Sequence, residues 1–324
     1  MERIANSHTT TGFNPQKHMI KLRLLIIFVV LQMLVGSGYC QDKKGNEDTK
    51  RLVDSLFIVS NGVSEMYRDQ AQPAESTLVA MGEEAVPYLM EKLDTQDARE
   101  KWTLIRILGK IGKPAVLSLI GKLESQNKDE SELSVRILGD IKDTSAVWPL
   151  IKLLTKDNYN VRSSVCESLG KIGDRSAFQD LSLRMGDSIE VVRKSAAVAL
   201  GRIKDDKAIP YLIQGLSDKH YSVRMTSANS LVELGEPSEK PLLPLLDNST
   251  GDALYLTIES LGRLKSKRAV IPLIIRLKDR DWATRAFAVE ALEQIGDPRG
   301  MQAIAALRKT EKHPFVLSKI TAPE

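Results

Sequence analysis

Cysteine and histidine are scarce in this chain, with two cysteines and four histidines in 324 residues. Only Cys166 lies beyond residue 40, so no disulfide can close within the remainder. It falls among inward-leaning positions of an amphipathic segment, where a thiol packs as a small hydrophobe and does not react. The histidines are His8, His18, His220 and His313, and no two are spaced as metal ligands on one helix. There is no Gly-rich phosphate loop and no nucleophile elbow. Asp205 and Asp206, the nearest approach to a carboxylate pair, sit where a helix cap belongs. No catalytic residue, cofactor-binding residue or metal ligand is therefore expected. A strong net charge is also missing. Of the formal +4, four basic residues and one acidic residue lie in the first forty positions, leaving a formal charge of +1 for the rest. So weak a field offers no grip on phosphate backbones, and nucleic acid is not an expected partner.

Long apolar runs are lacking too, with one exception. Leu24 to Val35 reads LLIIFVVLQMLV, preceded by Lys17, Lys21 and Arg23 and followed by Gly36, Ser37 and Gly38. That is the order of a secretory signal over residues 1–40. The run has 12 residues, against roughly 20 for a helix that crosses a bilayer. A cleaved signal and a retained N-terminal anchor both fit, and both place the mature chain outside the cytoplasm: periplasmic, secreted or membrane-anchored. A start at Met19 instead of Met1 gives a more usual signal length. Cys40, at the exit of the run, is a lipidation candidate of the bacterial lipoprotein kind, although Tyr39 stands where such signals favour a small residue. Cleavage after Cys40 is the alternative. A single acyl chain there would be a marginal membrane tether. The polar stretch over 41–50 reads as a flexible linker, and residues 51–72 as a helical N-terminal cap.

What is present is a repeat. A Leu-Gly pair sets the ruler: its glycine falls at Gly109, Gly139, Gly170, Gly201 and Gly262, with Val79, Val232 and Glu293 in the same slot of the other copies. The steps are 30, 30, 31, 31, 31, 30 and 31 residues, the signature of a stacked solenoid. Each unit predicts two helices. In the fifth, Val192, Ala196, Ala199, Leu200 and Ile203 share one stripe, and Ile209, Leu212, Ile213 and Leu216 form a second. Pro210 suits the first turn of that second helix. Glycine inside a helix costs about 1 kcal/mol relative to alanine, so its return at one slot argues for close packing of neighbouring units. Residues 309–324 follow the last unit and read as a tail.

The pattern VRxxAAxALGxIGD…AIPxLIxxLxD resembles the short HEAT-like repeat of phycobilin lyases and many bacterial proteins, over about residues 73–308. The resemblance implies an all-α fold, a right-handed α-α superhelix of about eight two-helix repeats. It further implies that the second helices lie outside and that those beginning Val-Arg line the concave face. With Val161 as position 1, positions 1, 5, 8, 9 and 12 are expected in the core, and positions 3, 4, 7 and 11 in the groove. Candidate concave-face residues are then Trp102, Arg106 and Arg136 towards one end. Towards the other they are Met225, Tyr255, Leu256, Glu259, Phe287 and Glu290. The first set is basic and the second apolar and acidic. Tyr255 and Phe287 equally suit packing between repeats. Arg162, Arg193, Arg224 and Arg285 at position 2 are expected to pair with turns holding Asp157, Asp187, Asp218 and Asp279 across neighbouring units.

Deoxyhypusine hydroxylase, a HEAT-like relative, holds iron with His-Glu pairs, and this sequence has no His-Glu dipeptide. The functional expectation is an exported or envelope-associated scaffold that binds an unknown protein or peptide on its concave face without catalysis. The alternative is a bilin-type cofactor lyase or a chaperone-like repeat protein.

Overall fold

The computed structural model describes residues 43–62 and 67–320. The apolar run at Leu24–Val35, Cys40 and both candidate start positions lie outside the described residues. The chain divides into two units, residues 1–49 and 50–324. Of the first unit the described residues include only the opening turns of α1 (Lys43–Ser60). The expected linker over 41–50 is therefore corrected, because helix begins at Lys43. The stretch is polar, but its three Lys and its Glu lose little rotamer freedom in a helix.

The second unit is a run of paired helices, and every regular element described is helical. In chain order the pairs are α2 (Arg68–Met81) with α3 (Val86–Met90), and α4 (Ala98–Ile111) with α5 (Lys113–Lys122). Next come α6 (Lys128–Ile141) with α7 (Val147–Lys152), and α8 (Tyr159–Ile172) with α9 (Phe178–Arg184). The fifth repeat is α10 (Glu190–Arg202) with α11 (Ile209–Gly215), and the sixth is α12 (Tyr221–Leu234) with α13 (Glu239–Leu242) and α14 (Leu245–Asn248). The last two are α15 (Gly251–Arg263) with α16 (Val270–Arg276), and α17 (Trp282–Ile295) with α18 (Pro298–Arg308). A final helix, α19 (Pro314–Lys319), packs on α17. The array thus begins at Arg68, a little before the expected residue 73, and 309–320 is not a tail. Glu311 in that segment is buried and takes two hydrogen bonds from the Arg285 guanidinium, at 2.6 and 2.9 Å. His313 stacks on Trp282, with ring centroids 4.6 Å apart. These contacts cover the face of the eighth repeat that a further repeat would otherwise bury.

The expected second helix at Lys240 is split in two. Pro244 has no N–H to donate and its ring crowds the preceding turn, so the helix stops at Leu242 and restarts at Leu245. Elsewhere the turns follow the sequence closely. Asp97, Asn127, Asn158 and Asp281 cap first helices, and Asp143, Asp174, Asp205 and Asp297 cap the turn that opens second helices. Each accepts a hydrogen bond from a backbone N–H that would otherwise lack a partner. Among the described residues no helix is long and apolar enough to cross a membrane.

The core is one continuous band of Leu, Ile, Val and Ala running from Val53 to Ile320. Position 10 shows why glycine recurs. A Cβ built on Gly170 would lie 2.7 Å from the Ala199 Cα on the next first helix, and one on Gly262 would lie 2.7 Å from the Ala291 Cα. Those backbones touch, and glycine is what lets them do so.

Candidate functional site

A helix inside the array is covered on three sides: by its own second helix and by the first helices before and after it. Positions 1, 5, 9 and 12 turn towards the second helix. Positions 2, 6 and 10 meet the following repeat, and positions 4 and 8 meet the preceding one. Ser168 and Ser230, at position 8, donate hydrogen bonds at 2.9 Å to the position-6 carbonyls of Val135 and Ala197 one repeat earlier. What remains is a narrow ridge of positions 3, 7 and 11.

This corrects the expected groove in one respect: position 4 is not part of it. Thr103, Leu133, Ser195 and Leu256 are all buried, and Ser164, Thr226 and Phe287 are half-buried. Leu256 is therefore a core residue and not a binding residue. An amphipathic count finds the stripe facing the second helix and misses the two flanks that neighbouring repeats bury. A signal was present in the small residues at position 8 from the fourth repeat on: Ser168, Ala199, Ser230, Ser260 and Ala291.

Of the other candidates, Trp102, Arg106 and Arg136 are exposed on the ridge, and Met225 is half-buried there. Tyr255 and Phe287 are half-buried and stack on each other across a junction, with centroids 5.1 Å apart. The Tyr255 hydroxyl donates to Asp281 at 2.8 Å. Burial, and after it this bond, pushes the phenol up to about 12, so Tyr255 stays a neutral donor. The pair ties the seventh repeat to the eighth, and neither ring is a free docking surface.

The charge gradient along the ridge is largely cancelled by ion pairs. Arg106 and Lys110 both grip the buried Glu75 carboxylate, each approaching to 2.7 Å. Burial would raise the pKa of Glu75, but the two cations outweigh it and hold the carboxyl below its ordinary range. Lys171 pairs with Asp140 at 2.7 Å, Glu259 lies 3.5 Å from Arg263, and Glu290 pairs with Lys319 at 2.5 Å. Arg136 makes no hydrogen bond or ion pair with the described residues, and the same holds for Lys194 and Arg202.

The position-2 arginines show the expected pairing at Arg162 and Arg193, while Arg224 and Arg285 take other acids. Arg162 donates to both oxygens of Asp187 in the next turn, at 2.8 and 2.9 Å, and to the carbonyls of Lys156 and Asp157 in its own turn. Arg193 repeats this with Asp218 and the carbonyls of Asp187 and Ser188. Arg224 reaches the Asp218 carbonyl and Asp252, and Arg285 takes Glu311 in place of an aspartate. Each planar guanidinium spans two turns, a task its forked donors suit and a lysine's do not. These arginines are structural ties and leave no anion-binding ladder.

Cys166 is fully buried, and burial pushes its thiol up to about 12, so it stays protonated and inert. Among the described residues no cluster of three or more His, Cys, Asp and Glu is placed to hold a metal ion. A small hollow does open on the ridge where α4, α6 and α8 meet. Trp102 and Arg136 form its walls, with Ile105, Ser164 and Ser168 beneath and the Asp140–Lys171 pair at its rim.

Residues 118–200, 181–253 and 239–322 match the family model for HEAT repeats. No curated protein matches the sequence. Among solved structures, a chain from the Kap95p–RanGDP complex superposes with a TM-score of 0.53 at 12% identity. That match covers 83% of this chain and 44% of the other. YibA of Escherichia coli gives 0.50 at 20% identity, covering 80% of this chain and 96% of its own. A chain of the CpcE–CpcF phycocyanin lyase complex from Nostoc sp. gives 0.40 at 19%, covering 69% and 94%. At these identities the likeness is one of fold.

Proposed function

Because the chain belongs to the HEAT-repeat family, we propose that it is an exported or envelope-associated scaffold that binds a protein or peptide along its first-helix ridge and performs no catalysis itself. The observation that carries this is the ridge. Positions 7 and 11 stay wholly or partly open to solvent from α4 to α17, and position 3 joins them except at the buried Ser163 and Ala286, while the flanking positions are largely packed away. Trp102 is 62% exposed there, so a large amphipathic ring is left for a partner to cover. Aromatic and arginine side chains on a polar-rimmed surface are what partner interfaces use as anchors. The export half rests on the apolar run at Leu24–Val35 and its basic and small-residue flanks.

Photo-cross-linking tests the docking face. With a benzophenone amino acid at Trp102, Lys194 or Met225, adducts should form in intact cells. The same probe at Leu117, 80% exposed on a second helix, should give none. Adducts from Leu117 alone would move the partner to the other face. Cell fractionation with the intact mass of the mature protein tests export: an envelope or secreted protein, cut near Tyr39 or Cys40 with or without added lipid or kept whole as an anchor, is expected, and an uncut chain in the cytosolic fraction would overturn it.

A further inference from the structure

The ridge presents charges that differ in one physical respect: most are already neutralised by a neighbouring repeat, and one beside the hollow is not. Asp140 is held by Lys171 at 2.7 Å. Glu167, the other acid of the hollow, accepts a hydrogen bond from Ser195 on α10 at 3.3 Å, which draws it towards the next junction. Arg136 alone among the charged side chains there keeps its guanidinium without a partner among the described residues. It stands on α6 at position 7, across the hollow from Trp102 on α4 at position 3. A guanidinium with free donors takes a carboxylate in a forked, two-bond geometry, and an indole face takes an aliphatic or aromatic side chain.

We infer that this hollow is the anchoring subsite of the ridge, and that it takes a protein segment carrying an acidic side chain next to a large apolar one. Arg136 binds the carboxylate and Trp102 covers the apolar neighbour. The region around it supports the sign. Over repeats two to five the ridge and the buried Glu75 carry six cations (Arg106, Lys110, Arg136, Lys171, Lys194, Arg202) against four acids (Glu75, Glu132, Asp140, Glu167). The excess favours an acidic segment and disfavours a basic one. The inference rests on the ridge being the docking face.

A random dodecapeptide library displayed on phage and selected on the folded protein separates the two claims. Enriched peptides should pair Asp or Glu with Leu, Phe or Trp within two or three positions. Arg136→Glu should weaken such a peptide at least tenfold, Trp102→Ala by a similar factor, and a Glu→Lys change in the peptide should restore binding to Arg136→Glu. Both residues are exposed, so thermal melting of the variants should match the wild type. Enrichment of basic peptides, or of acidic ones indifferent to Arg136→Glu but sensitive to Lys194→Glu or Met225→Ala, would sink the subsite and leave the ridge. Peptides indifferent to every ridge variant, or no enrichment at all, would remove both.

Discussion

The junction between the fourth and fifth repeats and that between the sixth and seventh are built from equivalent helices, yet they are packed differently. In the first, Gly170 meets Ala199 backbone to backbone, and Arg162 crosses to a buried Asp187. In the second, Val232 occupies the glycine slot, so α12 and α15 stand further apart and share a smaller face. The tie there, Arg224 to Asp252, has a half-exposed acid. Leu254 stands where the seventh repeat would carry its own arginine, and the second helix of the sixth repeat is broken at Pro244. One missing glycine therefore coincides with weaker links on every side. Stability in a solenoid is a sum over neighbouring interfaces, so the sixth–seventh junction should contribute less than the fourth–fifth.

The comparison can be broken most directly in the core. Leu200→Ala and Leu231→Ala remove equivalent side chains, both fully buried. Such truncations cost about 2–5 kcal/mol, less where the site can collapse. Denaturant titration should put Leu200→Ala in the upper part of that range and Leu231→Ala in the lower. Equal losses would show that the broken second helix of the sixth repeat packs on its first helix as tightly as the unbroken one of the fifth, and a loss near zero at Leu200 would mean that its helix face is misassigned.

Next in size is the glycine itself. Gly170→Val should destabilise by about 1–3 kcal/mol, the usual cost of overpacking, because the clash is with backbone and no rotamer relieves it. Val232→Gly should change stability by no more than about 1 kcal/mol, the intrinsic cost of glycine in a helix.

Acid should sharpen the contrast. Hydrogen bonds from Arg193 hold the Asp218 carboxyl below its ordinary range, and those from Arg285 hold Glu311 at about 2. At Asp187 burial opposes ionisation, but Arg162 and the Ile189 N–H outweigh it. A carboxyl depressed in the folded state contributes stability above its unfolded value, near 4, and loses it as pH falls towards the folded value. Melting temperature should thus drop steeply between about pH 4 and pH 2. In Arg193→Met the drop should be shallower, as Asp218 would no longer be depressed. An unchanged slope would mean that the tie carries no pH-linked stability.

The smallest effect lies at helix ends. Position 13 adopts positive φ throughout: Gly173 at 76° and Gly296 at 69°, but also Lys142 at 61°, Lys204 at 50° and Lys265 at 53°. A left-handed L-residue costs about 1–2 kcal/mol, partly offset by the entropy glycine loses on folding. Lys204→Gly should therefore stabilise by about 0.5–1 kcal/mol, read as a rise in denaturation midpoint.

Much of the array was legible because a period of about 31 residues is repeated in the sequence itself. The glycine slot, the capping aspartates and the position-2 arginines each recur often enough for their roles to be read. The ridge was legible only in part. Trp102, Arg136 and Met225 lie where the count placed them, but Leu256 is core, and Arg106, Tyr255, Phe287 and Glu290 are engaged by neighbours. Those partners, Glu75, Asp281 and Lys319, lie 26–31 residues away along the chain. No periodicity within one helix points to them.

The linear order of residues determined by itself that this chain would form stacked helix pairs, since hydrophobic spacing and local capping act within a single repeat. Which ridge charges remain free to meet a partner was decided only when the repeats were set side by side. An ion pair between units depends on the distance between two helices, and that distance is set by side chains on both of them: it is short at Gly170 and Gly262 but not at Gly109.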